Sequence, residues 1–196
     1  KAYGDQKVLP YTEDQSLNGL YPYDASKACT DILSRSYHKT YNLPVCVTRN
    51  ANNYGGADLN MSRIVPDTVC SALEGKELII RSDGTLQRDY MYIKDAVEAY
   101  LILAENMDKP EIVGQAFNFG TGQPVSVIEL FNKIIELTES DMKPKILGTA
   151  KNEIMKQYLN VDKVTKLLGW KAKYTLEQGL KETIDWYKEN LNKLKR

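Results

Sequence analysis

Residues 21–56 read YPYDASKACTDILSRSYHKTYNLPVCVTRNANNYGG, and the order of their parts decides the fold class. A polar start at Asp24 opens a helical stretch that runs to Tyr41 and is stopped by Asn42 and Pro44. The run VCVT, residues 45–48, follows as a short strand whose apolar, β-branched character predicts burial. Residues 50–60, rich in Asn and Gly, read as the loop after it. A helix that feeds a buried strand, which then opens into a polar loop, is a building unit of α/β proteins.

The rest of the chain repeats the alternation. Helices are predicted over 62–73, with a kink or break at Pro66, and over 94–106, where Ala96, Val97, Tyr100, Leu101 and Ala104 keep helical spacing. Extended segments are predicted at 78–81, 87–93, 116–119 and 145–147, with a turn at 82–84. Ser126 with Glu129, and Thr175 with Gln178, have the spacing of capping boxes; 162–168 and 175–191 read as amphipathic helices. The first half looks like the tail of a parallel sheet and the second like a small mixed domain.

Composition narrows the function. The 26 basic and 26 acidic side chains cancel, so the charge balance points neither to nucleic acid nor to a membrane surface. No apolar run approaches the roughly 18 residues of a membrane span. Cys29, Cys46 and Cys70 lie far apart with no CxxC pair, which argues against a zinc site or a disulfide framework and fits a reducing cytoplasm. His38 is the single histidine and reads as a partly exposed helix residue, so proton transfer falls to Tyr, Lys, Asp or Glu. Neither G-x-G-x-x-G nor G-x-x-x-x-G-K-[ST] occurs.

Tyr23 and Lys27 stand out against that background. A free phenol titrates near 10 and is a poor base at neutral pH. A lysine one helical turn away shares the face of the tyrosine, and a neighbouring ammonium favours a phenolate. Such a pair can take the proton of a substrate hydroxyl while a hydride leaves the carbon. The spacing recurs at Tyr3/Lys7 and Tyr90/Lys94, so spacing alone decides nothing. Tyr3/Lys7 falls in a loop and Tyr90/Lys94 straddles a strand–helix junction. Tyr23/Lys27 opens a helix that leads into a strand and an Asn/Gly loop.

YDASK, the long helix and LPVCVTRNANNYGG resemble the extended short-chain dehydrogenase/reductase family, and within it the nucleotide-sugar epimerases and 4,6-dehydratases. RIVP, LIIRSDGTLQRDYMYIKDAVEAYL, AFNFGTGQPVSV and LLGWKAKYTLEQGLKETIDWY continue the resemblance in order along essentially the whole chain. It implies an α/β fold: the C-terminal part of a Rossmann-type parallel sheet plus a small mixed α/β substrate-binding domain. Residues 1–55 would be the remainder of the NAD-binding Rossmann domain. Residues 56–196 would be mostly the nucleotide-sugar domain, with about 84–120 interleaving with the Rossmann part. These enzymes carry Ser/Thr-Asp-(Glu or Lys)-x-Tyr-Gly at a catalytic strand end. KAYG, residues 1–4, matches its last four positions and puts Lys1 at the third. The match implies the C-terminal portion of an enzyme of about 300 residues, the size of such two-part folds.

The resemblance also implies roles. Tyr23 would be the active-site base, with Lys27 as its partner and as a ligand of the nicotinamide ribose. Asn50 and Asn53 would lie near the nicotinamide of NAD, and Asn52 would contact substrate. The Asn-rich run also suits a plain turn. Arg88 would grip the diphosphate, since a guanidinium forks onto phosphate oxygens. Arg63 would lie near the nucleotide, with a surface salt bridge as its alternative. Ser126 and Tyr158 would close the nucleotide pocket. Lys1, with the aspartate before it in the motif, would serve the acid/base chemistry. Asp89 and Asp95 would hold backbone and helix start, and Asn118 with Gly120 and Gly122 would form a tight strand–helix turn. Leu33 and Tyr37 would belong to a homodimer interface. The implied partner is a nucleotide-diphosphate sugar, in the cytoplasm. Lysine at the third motif position resembles the CDP-glucose 4,6-dehydratase type and some UDP-sugar dehydratases, where enzymes acting on dTDP-glucose usually have Glu. Within the resemblance both the CDP- and dTDP-glucose enzymes stay open. A 4-epimerase is the alternative, and a nucleotide-sugar-binding fragment without turnover is the alternative of another class.

Overall fold

The computed structural model of the chain describes residues 1–151 and 153–194. Helix α1, Pro22–Tyr41, starts with proline in its first turn, where the missing N–H costs nothing. It stops at Asn42, which takes the left-handed conformation at φ 53° and returns its N–H to the His38 carbonyl. Strand β1, Val47–Asn50, begins two residues later than the β-branched run predicts. A tight turn joining Val45 N–H to the Leu43 carbonyl occupies that start. The strand is half-buried rather than buried, and Arg49 is its one buried residue. Strand β2, Asn52–Tyr54, falls inside the expected loop. Its asparagines prefer turns, but parallel pairing with a long strand overrides that preference.

Helix α2, Ile64–Glu74, is continuous, against the kink expected at Pro66. Pro66 lies in the first turn, whose N–H groups have no intrahelical acceptor, so proline removes no bond there. Strand β3, Ile79–Ile80, and strand β4, Gln87–Tyr92, follow, and β4 runs directly into helix α3, Ile93–Ala104. Strand β5, Ala116–Phe119, precedes the short β6, Pro124–Ser126. Helix α4, Val127–Thr138, opens with both halves of the Ser126/Glu129 capping box in place. Strands β7, Lys145–Ile146, and β8, Lys156–Gln157, lead to helices α5, Asp162–Leu168, and α6, Leu176–Leu194. Thr175 and Gln178 cap α6 reciprocally, as their spacing predicts.

The architecture is α/β with parallel pairings. β1 pairs parallel with β5, so a strand from the second half of the chain completes a ladder begun in the first. β4 is the hub of a second sheet: β2 and β8 pair with it in parallel and β6 antiparallel. β3 and β7 form a third, parallel pair. Side chains alternate across β4. Tyr90 and Tyr92 enter a core with Val69, Leu130, Ile134, Leu180 and Ile184; Met91 enters another with Ala99, Phe117, Phe119 and Trp170. Gly179 sits in the first turn of α6, where a Cβ would meet the Tyr54 hydroxyl at 2.3 Å. The absent side chain lets the helix close on β2 and β4.

Candidate active site

Strand β1, the β1–β2 junction, residues Arg88–Tyr90 of β4 and the starts of α1 and α2 surround a cavity of about 750 Å³. A parallel ladder directs its strand ends and the loops after them to one edge, where ligands of such sheets bind. Of the side chains expected at the site, Lys1, Tyr23, Lys27, Asn50, Asn52, Asn53, Arg63, Arg88 and Tyr158 line this cavity. Ser126 does not join them. Its hydroxyl accepts the Glu129 N–H at 3.2 Å in the α4 cap, and its backbone pairs with β4.

Tyr23 stands in the first turn of α1, which has no side-chain cap, and is 61% exposed. The Lys27 ammonium lies 5.3 Å from the centre of its ring, a cation–π approach one turn along the helix. The other two Tyr/Lys spacings do different work. The Tyr3 hydroxyl is buried and donates to Asn118 Oδ1 at 2.6 Å. Lys94 pairs with Glu182 at 2.6 Å, and burial holds Tyr90 up to about 12.

Three of the residues that line the cavity carry amides with unused hydrogen-bonding capacity. Asn50 Nδ2 donates to the Tyr100 hydroxyl at 3.2 Å, and that hydroxyl also accepts from Thr48. The Oδ1 atoms of Asn50 and Asn53 and the Nε2 atom of Gln157 are buried without a hydrogen-bond partner. Unpaired buried amide atoms are costly in a closed interior, so atoms of this kind on a cavity wall suit a ligand that supplies donors and an acceptor.

Arg88 is buried in β4. Its Nη1 donates to the Ile154 carbonyl at 2.6 Å, and its Nη2 pairs with Glu153 at 3.1 Å. Arg63 flanks α2 and carries the expected alternative, a surface salt bridge to Asp58 at 2.9 Å, while still lining the cavity. Tyr158 has the Lys156 ammonium 5.3 Å above its ring. Asp89 holds backbone: it accepts from the Thr121 and Gly122 N–H groups and from the Thr121 hydroxyl. Burial pushes its carboxyl above the usual range against those bonds. Gly120 lacks a side chain because a Cβ would meet Asp89 Oδ2 at 2.4 Å. Asp95 likewise accepts the backbone N–H groups of Lys173 and Tyr174.

Sequence reasoning missed the cavity floor. Arg49 Nε pairs with Asp31 at 2.7 Å, and its Nη1 donates to the Tyr3 hydroxyl at 2.8 Å. Burial raises the Tyr3 phenol even though Arg49 opposes the shift. The available signal was a charged residue in an apolar strand, with a carboxylate at the i+8 position from Tyr23.

The Tyr23–Lys27 pair at a helix start and the asparagines at and just after the end of a parallel strand line one cavity of this α/β protein. The chain belongs to the GDP-mannose 4,6 dehydratase family, whose model matches residues 1–183. It is similar to dTDP-glucose 4,6-dehydratase of Haemophilus influenzae, at 31% identity over 95% of this chain and 58% of that protein. Among solved structures it is similar to UDP-glucose 4-epimerase of Thermotoga maritima with UDP-glucose (TM-score 0.88, 31% identity, 96% of this chain and 60% of that one). It is also similar to dTDP-glucose 4,6-dehydratase of Bacillus anthracis in complex with NAD (TM-score 0.84, 33% identity, 97% and 60%). The chain spans just over half the length of the curated relatives it matches.

Proposed function

We propose that the chain carries the Tyr–Lys pair and the sugar-nucleotide cleft of an NAD-dependent nucleotide-sugar 4,6-dehydratase, a lyase that turns an NDP-glucose into NDP-4-keto-6-deoxyglucose. The observation that carries this reading is a convergence in one cavity. It holds an exposed Tyr23–Lys27 pair, two unpartnered asparagine oxygens and the buried guanidinium of Arg88. Asn50, Asn53 and Lys27 would hold the nicotinamide end of NAD: the two acceptors suit carboxamide N–H groups, and the ammonium suits ribose hydroxyls. NAD, when bound, supplies hydride acceptance and return at the sugar. Tyr23 Oη takes the proton of the sugar O4 hydroxyl as the C4 hydrogen departs, and the C5 proton beside the new carbonyl becomes acidic. Lys1, with the aspartate that precedes it in the family motif, serves the acid/base steps at C5 and C6 where water is lost. Arg88 and Asn52 bind diphosphate oxygens, with Arg63 and Tyr158 toward the nucleotide.

Residues 1–55 then belong with the dinucleotide side and most of 56–196 with the sugar-nucleotide side, and 84–120 serves both. Helices α1 and α3 present Leu33, Tyr37, Val97 and Leu101 to solvent, an apolar surface that suits packing in a homodimer. No helix of the described residues is long and apolar enough to cross a membrane, and the three cysteines are free, which supports a cytoplasmic enzyme. Turnover is proposed for the full-length protein, because this chain carries no Gly-rich dinucleotide loop.

A 4-epimerase is the second reading, favoured by the likeness to the Thermotoga maritima enzyme. Incubating the full-length protein with CDP-, dTDP- and UDP-glucose in deuterium oxide separates the two. A 4-keto-6-deoxy product with solvent deuterium at C5 is expected. A C4-inverted sugar with no loss of water moves the assignment to epimerase. Binding without any product would leave a nucleotide-sugar-binding protein.

A further inference from the structure

We infer that the Asp31–Arg49 pair is a positioning device that sets the rotation and height of α1, and so aims Tyr23 and Lys27 at the strand end that carries Asn50. The inference rests on the reading of Tyr23 as the proton-transferring group.

Tyr23, Lys27, Asp31 and Arg35 recur every four residues and form one stripe along α1. The upper two members face the cavity. Among the described residues, neither the Tyr23 hydroxyl nor the Lys27 ammonium has a hydrogen-bond or ion-pair partner, so their placement is inherited from the helix. An apolar stripe fixes the rotation of most surface helices. On α1 only Asp24, Ala28 and Asp31 are buried, and two of those are carboxylates. The grip is therefore polar. Asp31 Oδ1 is met by Arg35 Nε and Oδ2 by Arg49 Nε, each at 2.7 Å.

Arg49 extends the grip to the rest of the site. It precedes Asn50 in β1, and its Nη1 donates to the Tyr3 hydroxyl at 2.8 Å and the Glu13 carbonyl at 3.1 Å. Tyr3 donates to Asn118 Oδ1 in β5, directly opposite Arg49 in the ladder. One guanidinium thus holds the helix of Tyr23, the strand of Asn50 and the loop of Lys1 in a single register. Only a fork with several fixed donors does this; a lysine ammonium is one point on a flexible stem.

The test uses the full-length protein with R49K and D31N, and with R35Q as the control on the exposed side of the same carboxylate. Each is assayed well below its own melting temperature. Turnover by R49K and D31N is expected to fall about tenfold or more with KM held within about threefold, since misplacement costs the reacting geometry rather than ground-state binding. R49K added to Y23F is expected to cost little further. 3-Fluorotyrosine placed at position 23 gives a readout independent of turnover. Its fluorine resonance should move in R49K and D31N and stay in place in R35Q. A folded R49K protein with an unmoved resonance overturns the inference, as does wild-type turnover per folded molecule. If the unsubstituted protein turns over no nucleotide sugar, the functional reading fails, and the resonance alone then decides the positioning claim.

Discussion

The floor and the wall of the cavity are each built on an arginine that is 8% exposed, yet the two arginines are bound in opposite ways. Arg49 on the floor faces Asp31, whose side chain is 3% exposed, and also a buried phenol. Arg88 on the wall faces a backbone carbonyl and Glu153, whose side chain is 41% exposed. Equal burial therefore says little about role. An arginine whose carboxylate is also out of water is committed to the fold, because separating the pair strands a charge. An arginine whose carboxylate lies at the solvent edge can trade it for another anion at little cost, since exposed pairs are weak. The difference supports the proposal that Arg49 serves the architecture and Arg88 the ligand.

The largest expected effect lies outside both regions. Tyr23→Phe should lower kcat by about 10²–10⁴-fold, the range for a positioned acid/base group, with the melting temperature unchanged because its hydroxyl is unbonded and exposed. Steady-state kinetics beside a thermal melt check this. Arg49→Ala should destabilise the protein by about 3–5 kcal/mol in denaturant unfolding, since it leaves Asp31 buried with only the half-exposed Arg35 as partner. Arg88→Ala should cost less stability, about 1–3 kcal/mol for the stranded Ile154 carbonyl, and should raise KM for the nucleotide sugar. Equal unfolding losses in the two variants would erase the distinction. Ser126→Ala removes a cap remote from the cavity and should cost about 1 kcal/mol with KM untouched.

The smallest effect is a pH dependence beside the floor. Lys163 donates to the Ala116 carbonyl, and burial holds its ammonium below the usual lysine range against the opposing charges of Glu13 and Asp14, with Arg49 and Arg35 adding to the shift. The folded state therefore gives up this proton before the unfolded chain does. Its contribution to stability should rise as pH climbs from the folded-state value toward about 10.4, the free lysine value. Melts of the protein and of Lys163→Met across alkaline pH check the sign.

Much of the framework was legible in the sequence. The bounds of β5 and α5, and both capping boxes, follow from local patterns that tertiary contacts do not disturb. The strands missed were β2, β6 and β8, each two or three residues long, and all three exist through pairing with β4. No local pattern announces such a strand, because its stabilising partner is distant in sequence. The cavity-lining tyrosine and lysine stand out by spacing and context, and the family resemblance names their roles and those of the asparagines. The Asp31–Arg49–Tyr3–Asn118 floor could not be named, because it joins four segments that only the fold brings together.

The most direct test of the division between floor and wall is calorimetric binding of a nucleoside diphosphate to the full-length protein, using whichever of CDP, dTDP and UDP the unsubstituted protein binds. Arg88→Ala should weaken binding about tenfold or more, the loss of charge-assisted bonds to a phosphate, while Arg49→Lys should leave it within about twofold. Undiminished binding by Arg88→Ala, or a loss in Arg49→Lys as large as that in Arg88→Ala, would contradict the assignment.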